Sequence, residues 1–488
     1  MNPAERADLL EVARGRIVDF RRLQDAGLLV KHGDFSPSVH YPPITMYPPI
    51  REEDLFATYN NPADLLFDVY AHIPFCLSRC LFCHYPAKYG HRFVEKERYL
   101  AALEKEMDLS LRRYGLGKIK VRSILVGGGT PTFLTPGQLR RFLGFFTDRL
   151  DRSRSPQFNY DVDPTTLIGP EGRERLEILR AYGVDRLTIG VQSLDAKVLE
   201  IMKRQHTVQQ TLESIENAKA LGFKVNIEFI FGHPGQTIDS WMAEMERAVT
   251  LDADEIQLYR LKVEAYGDLQ GAVKSFTQRQ PGMMPKPEEA IMMKQLAIGI
   301  LSAHGYHENL RRVFSRRRQD FSRYAHNQCC ELFDEIGFGL TAFSSLRDRF
   351  GLNTQHFAEY YRSIEEGRLP MNRGFVRNRE EQIRWAIVLP LKNRNVRKEH
   401  FRRVTGTPLD EVFRGKIKAL SDFGLVREDR LVLELTPLGA FFADEVAQQF
   451  HAPAFIPFPR SAYAEGPLNP YRNPEVFPRG EGSGIPGD

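Results

Sequence analysis

The sequence predicts an α/β fold: an incomplete (β/α)6 barrel, open on one side, with an N-terminal extension and a small, mainly helical C-terminal domain. Two observations carry that reading. Short apolar runs alternate with longer helical patterns from residue 67 to about 265, and no seventh or eighth unit follows them. Strands are expected at FDVYAHI (67–73), VRSILVG (121–127), FNYDVD (158–163), RLTIGVQ (186–192), VNIEFIF (225–231) and EIQLYRL (255–261). Helices are expected at 93–113, 136–149, 170–182, 194–204, 207–221 and 238–251. One helix shows the logic. Thr207 stands where an N-cap belongs, Val208, Leu212, Ile215 and Ala218 recur at helical spacing, and Gly222 follows the end. Such alternation makes the strands parallel, and reactive groups in parallel α/β sheets collect at the strands' carboxyl ends.

Around this block (67–265) the chain divides by composition. Residues 1–66 read as an extension, with a helix from Leu9 to Leu29 and a proline-rich segment, 39–50, that is either a strap over the next domain or a lid over a site. Residues 266–377 read as a connector that holds a helical stretch at 287–304, an arginine cluster and the segment EIGFGLTAFSS (335–345). Residues 378–450 suggest a winged-helix shape that packs on or caps the barrel, and 451–488, rich in Pro, Gly and Arg, a flexible tail.

Composition bounds the function classes. A formal charge of +4 over 488 residues lacks the basic footprint of a nucleic-acid binder. Arg311, Arg312, Arg316, Arg317 and Arg318 form a local cluster, read first as solvated surface and second as an anion site. No run of about 18 apolar residues is present, so no membrane span is expected, and the first residues lack a signal peptide's apolar region. The five cysteines, Cys76, Cys80, Cys83, Cys329 and Cys330, are few and clustered, which fits a metal site in a reducing, cytoplasmic compartment. Cys329 and Cys330 read as buried small side chains.

Cys76, Cys80 and Cys83 lie in C-x3-C-x2-C spacing just after the first expected strand. Three thiolates on one loop suit three irons of a [4Fe-4S] cluster, which leaves the fourth iron open to chelate the amino and carboxylate groups of S-adenosylmethionine. Zinc would need a fourth ligand, for which His72 or His84 stands near, but the spacing is not that of structural zinc sites.

The segment YAHIPFCLSRCLFCHYPAKYG (70–90) resembles the radical S-adenosylmethionine enzymes of the HemN-like, oxygen-independent coproporphyrinogen III oxidase type. LVGGGTPTFL (125–134), DVDP (161–164), LRAYGVDRLTIGVQSLD (179–195), NIEFIFGHPGQT (226–237) and IGFGLTA (336–342) extend the resemblance to about residues 40–450. It implies that Cys76, Cys80 and Cys83 bind the cluster and that a 5′-deoxyadenosyl radical is made. Gly127, Gly128, Gly129 and Thr130 would meet the methionine end of the cofactor, and Asp161, Gln192, Arg204 and Glu228 its carboxylate and ribose surroundings. Tyr70 is expected to contact cofactor, and Phe82 to pack on adenine and shield the cluster.

The pattern departs after the motif. The family's decarboxylases carry a cysteine where this chain has Tyr85, and the heme-chaperone branch usually has Asp-Phe where it has His84 and Tyr85. The resemblance therefore points to a third group, which uses two S-adenosylmethionine molecules for methyl or methylene transfer or cyclopropanation, ahead of porphyrinogen decarboxylation and heme chaperoning. The second cofactor is expected near the 231–236 loop and Gly337 to Ala342, with His72, His84 or His233 as proton relays. The substrate would be a small or peptide-like organic molecule, and the chemistry requires an electron donor of flavodoxin or ferredoxin type.

Overall fold

The computed structural model describes residues 2–31, 40–60, 65–261, 263 and 272–472. Six strands form the parallel block: β1 Phe67–Ile73, β2 Ile119–Gly128, β3 Gln157–Val162, β4 Arg186–Gln192, β5 Lys224–Phe231 and β6 Glu255–Arg260. α1 (Pro3–Asp25) precedes them, and helices follow the first five strands: α2 at Phe93–Tyr114, α3 at Pro136–Asp148, α4 at Gly169–Ala181, α5 at Val208–Ala220 and α6 at Ile238–Thr250. The expected helix at 194–204 is shorter, Ala196–Ile201, because Asp195 caps its start and the chain turns away at Lys203, whose φ is +57°. Thr207 caps α5 through a reciprocal capping box with Gln210.

The strands lie side by side in the order β6-β5-β4-β3-β2-β1 and do not close. At one edge β6 pairs antiparallel with β8 (Val313–Ser315), which pairs with β7 (His307–Leu310). At the other edge β1 pairs parallel with β9 (Glu335–Phe338), followed by antiparallel β10 (Phe343–Leu346), β11 (Arg349–Asn353) and β12 (Met371–Val376). The segment at 335–345 thus adds a parallel strand that the sequence pattern does not declare. Every residue of β9 is buried, so it shows no apolar–polar alternation.

Alternation within the central strands sets the two faces of the sheet. Val69, Ala71 and Ile73 of β1, Val225, Ile227 and Phe229 of β5, and Ile256 and Leu258 of β6 belong to one apolar core. Residues between them in the strands are polar: Asp68, Tyr70 and His72 on β1, Asn226 and Glu228 on β5, Glu255, Gln257 and Tyr259 on β6. The barrel interior is therefore a polar chamber, in which Arg186 of β4 and Glu255 of β6 make an ion pair, with side chains only 2% and 1% exposed.

The flanking segments shift the expected N-terminal helix, pack residues 40–50 as a strap and change the reading of the tail. The N-terminal helix is α1, which begins at an Asn2–Glu5 capping box and packs along α7 (Pro287–Ala303) through contacts such as Leu9 on Gly299. Residues 40–50 form a strap, not a lid: Tyr47 stacks on Phe350 and Phe375, 5.6 and 6.2 Å between ring centroids, behind the barrel. Residues 451–472 are packed rather than loose. Tyr463 and Leu468 are 1% and 2% exposed, Val30 bridges to Tyr463, and Leu468 N donates to Ala26 O at 2.8 Å. Pro and Gly made that stretch look disordered, but they shape 3-10 turns at Pro453–Phe455 and Arg460–Ala462 that lie against the end of α1. The rest of the expected tail, like residues 61–64 and 264–271, lies outside the described residues.

Behind the barrel, α8 (Arg379–Asn393), further short helices and a sheet of Asn395–Arg397, Val432–Leu435 and Val426–Glu428 form the winged-helix-like region. Trp385, Phe401, Leu433 and Phe450 join its core with Phe20 of α1 and Tyr41 of the strap. Among the described residues no helix is long and apolar enough to cross a membrane.

The buried ion pair gives the first test. Replacing Arg186 by alanine strands Glu255 in the chamber, an uncompensated buried charge that costs about 3–5 kcal/mol. Urea denaturation should show a loss of that size, and an unchanged midpoint would contradict the packing described.

Candidate active site

β1 runs out at Ile73, and the chain turns at Pro74 into a loop whose base is closed by a two-residue parallel pairing, Phe75–Cys76 with Lys88–Tyr89. Gly90 N donates to Cys76 O at 3.0 Å and Leu81 N to Met202 O at 2.9 Å, so the loop is fixed at its ends and middle. Each cysteine sulfur meets a different element. Cys76 Sγ accepts from Thr130 Oγ1 at 3.8 Å, and Cys80 Sγ from Arg204 Nη1 at 3.2 Å. Cys83 Sγ faces Tyr85 O at 4.0 Å within the loop. A Cβ at Gly129 would stand 2.7 Å from Cys76 Sγ and 2.8 Å from Phe75 O, so only glycine lets the end of β2 pass this close to the sulfur.

Arg204 ties the loop to the barrel. Its Nη2 donates to Asp163 Oδ2 at 2.7 Å and to Gly190 O at 2.9 Å. Burial alone would raise the Asp163 carboxyl, but Arg204, and then His206, hold it below the usual carboxylate range. Burial pushes the Cys76 thiol up to about 12 and raises that of Cys83. Thiols in such surroundings ionise when a metal neutralises them.

A cavity of about 410 Å3 opens beside the sulfurs at the carboxyl ends of the strands. Cys76, Cys80, Phe82, Cys83, Gly128, Gly129, Thr130, Asp161, Gln192, Arg204 and Glu228, all singled out from the sequence, line it. Tyr70 and Gly127 do not. They sit one layer deeper, where the Tyr70 hydroxyl meets His72 Nδ1 at 2.9 Å and a Cβ on Gly127 would strike Asp161 Oδ2 and the Tyr70 ring. Tyr85 is 60% exposed in spite of its place in the loop, because it lines the cavity.

Asp161 and Glu228 face each other across the chamber. Burial, then the charge of Glu228, raises Asp161 well above its ordinary range; burial, opposed by the Tyr259 hydroxyl, which donates at 3.2 Å, brings Glu228 to about 7. The pair therefore holds a proton at neutral pH and can both donate to and accept from a polyol such as a ribose. Asp163, Tyr259 and Arg260 also line the cavity and were missed. The D-x-D spacing of DVDP was a usable signal for Asp163, since residues i and i+2 of a strand share a face.

The places expected to border a second cofactor do not reach the cavity. His233 is fully buried and Gln236 is turned in to accept from Gly232 N. Added Cβ atoms on Gly337 and Gly339 would strike Phe343 O and the Tyr99 hydroxyl, so that segment is packed against protein. Burial lowers His72 to about 3 and His233 to about 4, which keeps both neutral and ill-suited to carry protons. Cys329 and Cys330 pack with Leu310 and Val313, away from the loop. The arginine cluster divides: Arg316 pairs with Asp252 on the surface, while Arg311 pairs with Asp444 inside.

Residues 70–248 match the model of the Radical SAM superfamily. Over 392 residues the chain is 29% identical to the heme chaperone HemW of Bacillus subtilis, a span of 78% of this chain and 98% of that protein. It is 27% identical over 344 residues to the oxygen-independent coproporphyrinogen III oxidase of Pseudomonas aeruginosa, covering 66% of this chain and 71% of the relative. Residues 70–248 are a radical SAM domain, and the chain around them is similar to HemN and HemW proteins. The solved Escherichia coli coproporphyrinogen III oxidase HemN, 22% identical, superposes with a TM-score of 0.72 over 84% of this chain and 96% of that one, so the open HemN fold extends beyond the matched domain. The family implies an iron–sulfur cluster and S-adenosylmethionine. The donor set fits. Three cysteine sulfurs on one loop, each met by a different group, suit three irons of one cluster.

The acid pair carries a pH test. A carboxyl raised in the folded state, from an ordinary 4.5 to about 7 for Glu228, favours folding fully below the lower value, and that contribution is lost as pH rises through the upper one. The melting temperature should therefore fall across this window, and Glu228→Gln should flatten part of the fall. Parallel pH profiles for the two proteins would contradict the assignment.

Proposed function

We propose that this chain is a radical SAM enzyme that abstracts hydrogen from a tetrapyrrole bound in the chamber beside Cys76, Cys80 and Cys83. The observation that carries the reading is the meeting of three sulfurs with a polar, strand-end cavity. Sulfurs held by Thr130, Arg204 and the loop form one wall, and Asp161, Gln192, Arg204 and Glu228 form the others. In this reading the three cysteines hold the cluster, and when bound there the cluster and S-adenosylmethionine supply a carbon-centred radical.

This chain's residues do the rest. Gly128 and Gly129 line the cavity where the amino-acid end of the cofactor would lie, and the Arg204 guanidinium, on the same cavity, would neutralise its carboxylate. The Asp161–Glu228 pair, carrying its proton, suits the ribose hydroxyls. Phe82 and Ile230 give an apolar face for a base. Tyr85 stands at the exposed side of the cavity, its ring 6.1 Å from that of His72, as a wall for a flat substrate.

The substrate class comes from the relatives: a heme chaperone and a coproporphyrinogen oxidase both handle tetrapyrroles. Methyl or methylene transfer, the sequence's first expectation, needs a second cofactor, and the residues expected to border it are packed into protein. Hydrogen abstraction needs only one. A ferredoxin- or flavodoxin-type protein is the proposed electron source.

Anaerobic incubation of reconstituted, reduced protein with S-adenosylmethionine and coproporphyrinogen III tests this. The expected products are 5′-deoxyadenosine and carbon dioxide, the electron left on the substrate as carbon dioxide departs passing to a one-electron acceptor supplied in the assay, and both products are abolished in Cys80→Ala. Heme binding with cofactor cleavage but no carbon dioxide would favour chaperoning instead. S-adenosylhomocysteine as the main product would restore methyl transfer.

A further inference from the structure

The outer surface at the cysteine loop differs from the rest of the molecule. Four of the eight large apolar or aromatic side chains left exposed among the described residues fall between Leu77 and Val94, which makes this their one concentration. Leu77, 38% exposed, and Tyr85 stand on the rim of the cavity, but Phe93 and Val94, 58% and 77% exposed at the start of α2, lie outside it. Gly90 N donates to Leu77 O at 3.1 Å and Arg92 Nε to Tyr89 O at 2.6 Å, so the chain folds back and sets the first turn of α2 beside Leu77. Single apolar side chains on a surface need no explanation, whereas a group on one spot marks a contact face.

Cations surround that spot. No Asp or Glu occurs from Val69 to Val94, while Arg79, Lys88 and Arg92 do. Exposed Lys203 adds a fourth cation, from the turn to which the loop is fastened by the bond from Leu81 N to Met202 O, 2.9 Å. Glu95 takes both Lys88 and Arg92, each at 3.2 Å, so one carboxylate answers two cations. Glu200, whose carbonyl accepts from Lys203 N at 2.9 Å, is the other acid at this edge. Four cations thus stand against two carboxylates. Among the described residues neither Arg79 nor Lys203 makes an ion pair; Arg79 Nη2 donates to Cys83 O at 3.5 Å. No side chain caps the first N–H groups of α2, a helix of 22 residues, so its positive end adds to the field.

We infer that Leu77, Arg79, Arg92, Phe93 and Val94 form the docking face of an electron carrier of flavodoxin type. Each reductive cleavage of S-adenosylmethionine consumes one electron, and a carrier protein is far too large for a cavity of about 410 Å3. It must deliver from outside, and Leu77 follows Cys76 directly in the chain, so here a sulfur lies one residue behind the surface. Such a carrier presents the apolar edge of its flavin within an acidic surface, the complement of an apolar spot within a basic one. The transfer moves one electron from the reduced flavin to the cluster that the loop would hold, and no bond or proton moves with it. A second copy of this chain on the same face would set like cations opposite each other, which disfavours a dimer there. The inference rests on the proposed cluster and is independent of the tetrapyrrole reading.

Calorimetric titration of the reconstituted protein with flavodoxin, joined to the rate of cluster reduction followed by absorbance, tests it. Affinity should fall about tenfold or more from low to high salt, as opposed charged faces require. Arg92→Glu and Phe93→Ser should each weaken flavodoxin binding about tenfold and slow reduction by subsaturating flavodoxin to match, with reduction by dithionite unchanged. Val94→Ser carries the same direction from a side chain that touches neither the loop nor the cavity. Unchanged flavodoxin affinity in these variants, or binding indifferent to salt, overturns the docking face. So does reduction by a ferredoxin and not by flavodoxin, or a dimer that Arg92→Glu dissolves. A cluster that dithionite cannot reduce removes the cluster reading, and the docking face with it.

Discussion

The whole arrangement depends on one side chain reaching between two parts of the fold. Arg204 donates at once to the sulfur of Cys80, the carboxylate of Asp163 and the carbonyl of Gly190. The cysteine loop is short of regular structure and would wander at the mouth of the barrel without such an anchor. A guanidinium suits the role because it keeps its charge when buried and offers several fixed donors. Asp163, held ionised by that same group, balances it. The loop, β3 and β4 are thus locked in register, and the sulfurs face the strand ends where Asp161, Gln192 and Glu228 stand.

Polarity inside the barrel follows from the same logic of strands. A closed barrel fills its interior with apolar side chains, whereas this open one keeps its period-two alternation and turns the polar set inward. The consequence is a chamber whose acids are held partly protonated by burial and mutual repulsion, as at Asp161 and Glu228. Such a chamber tolerates a charged cofactor better than an oily core would.

Much of this is legible in the sequence alone. FDVYAHI and RLTIGVQ become strands over the residues read, because their alternation is bounded by clear turn and capping signals. The cysteine spacing and the glycine run carried the candidate site. What escaped has physical reasons. Strand β9 is buried throughout and contains Gly337, so neither period nor propensity marks it. Residues 451–472 have a disordered composition but find a partner in α1, over 400 residues away in sequence, as at Ala26 and Leu468. Tyr70 points inward as the pleat requires, yet Gly127 and Asp161 cover it, a matter of depth that no strand pattern encodes. Arg311 and Asp444 meet only through tertiary packing, so the arginine cluster, read first as solvated surface and second as an anion site, divides into an outer and an inner half.

The central claim is that three thiols on the Cys76–Cys83 loop leave one iron of a cubane without a protein ligand. Electron paramagnetic resonance of the anaerobically reconstituted, reduced protein measures this most directly, recorded before and after S-adenosylmethionine is added. The account predicts a cubane signal that changes shape when the cofactor binds. A signal indifferent to the cofactor, or no cubane signal at all, would contradict it.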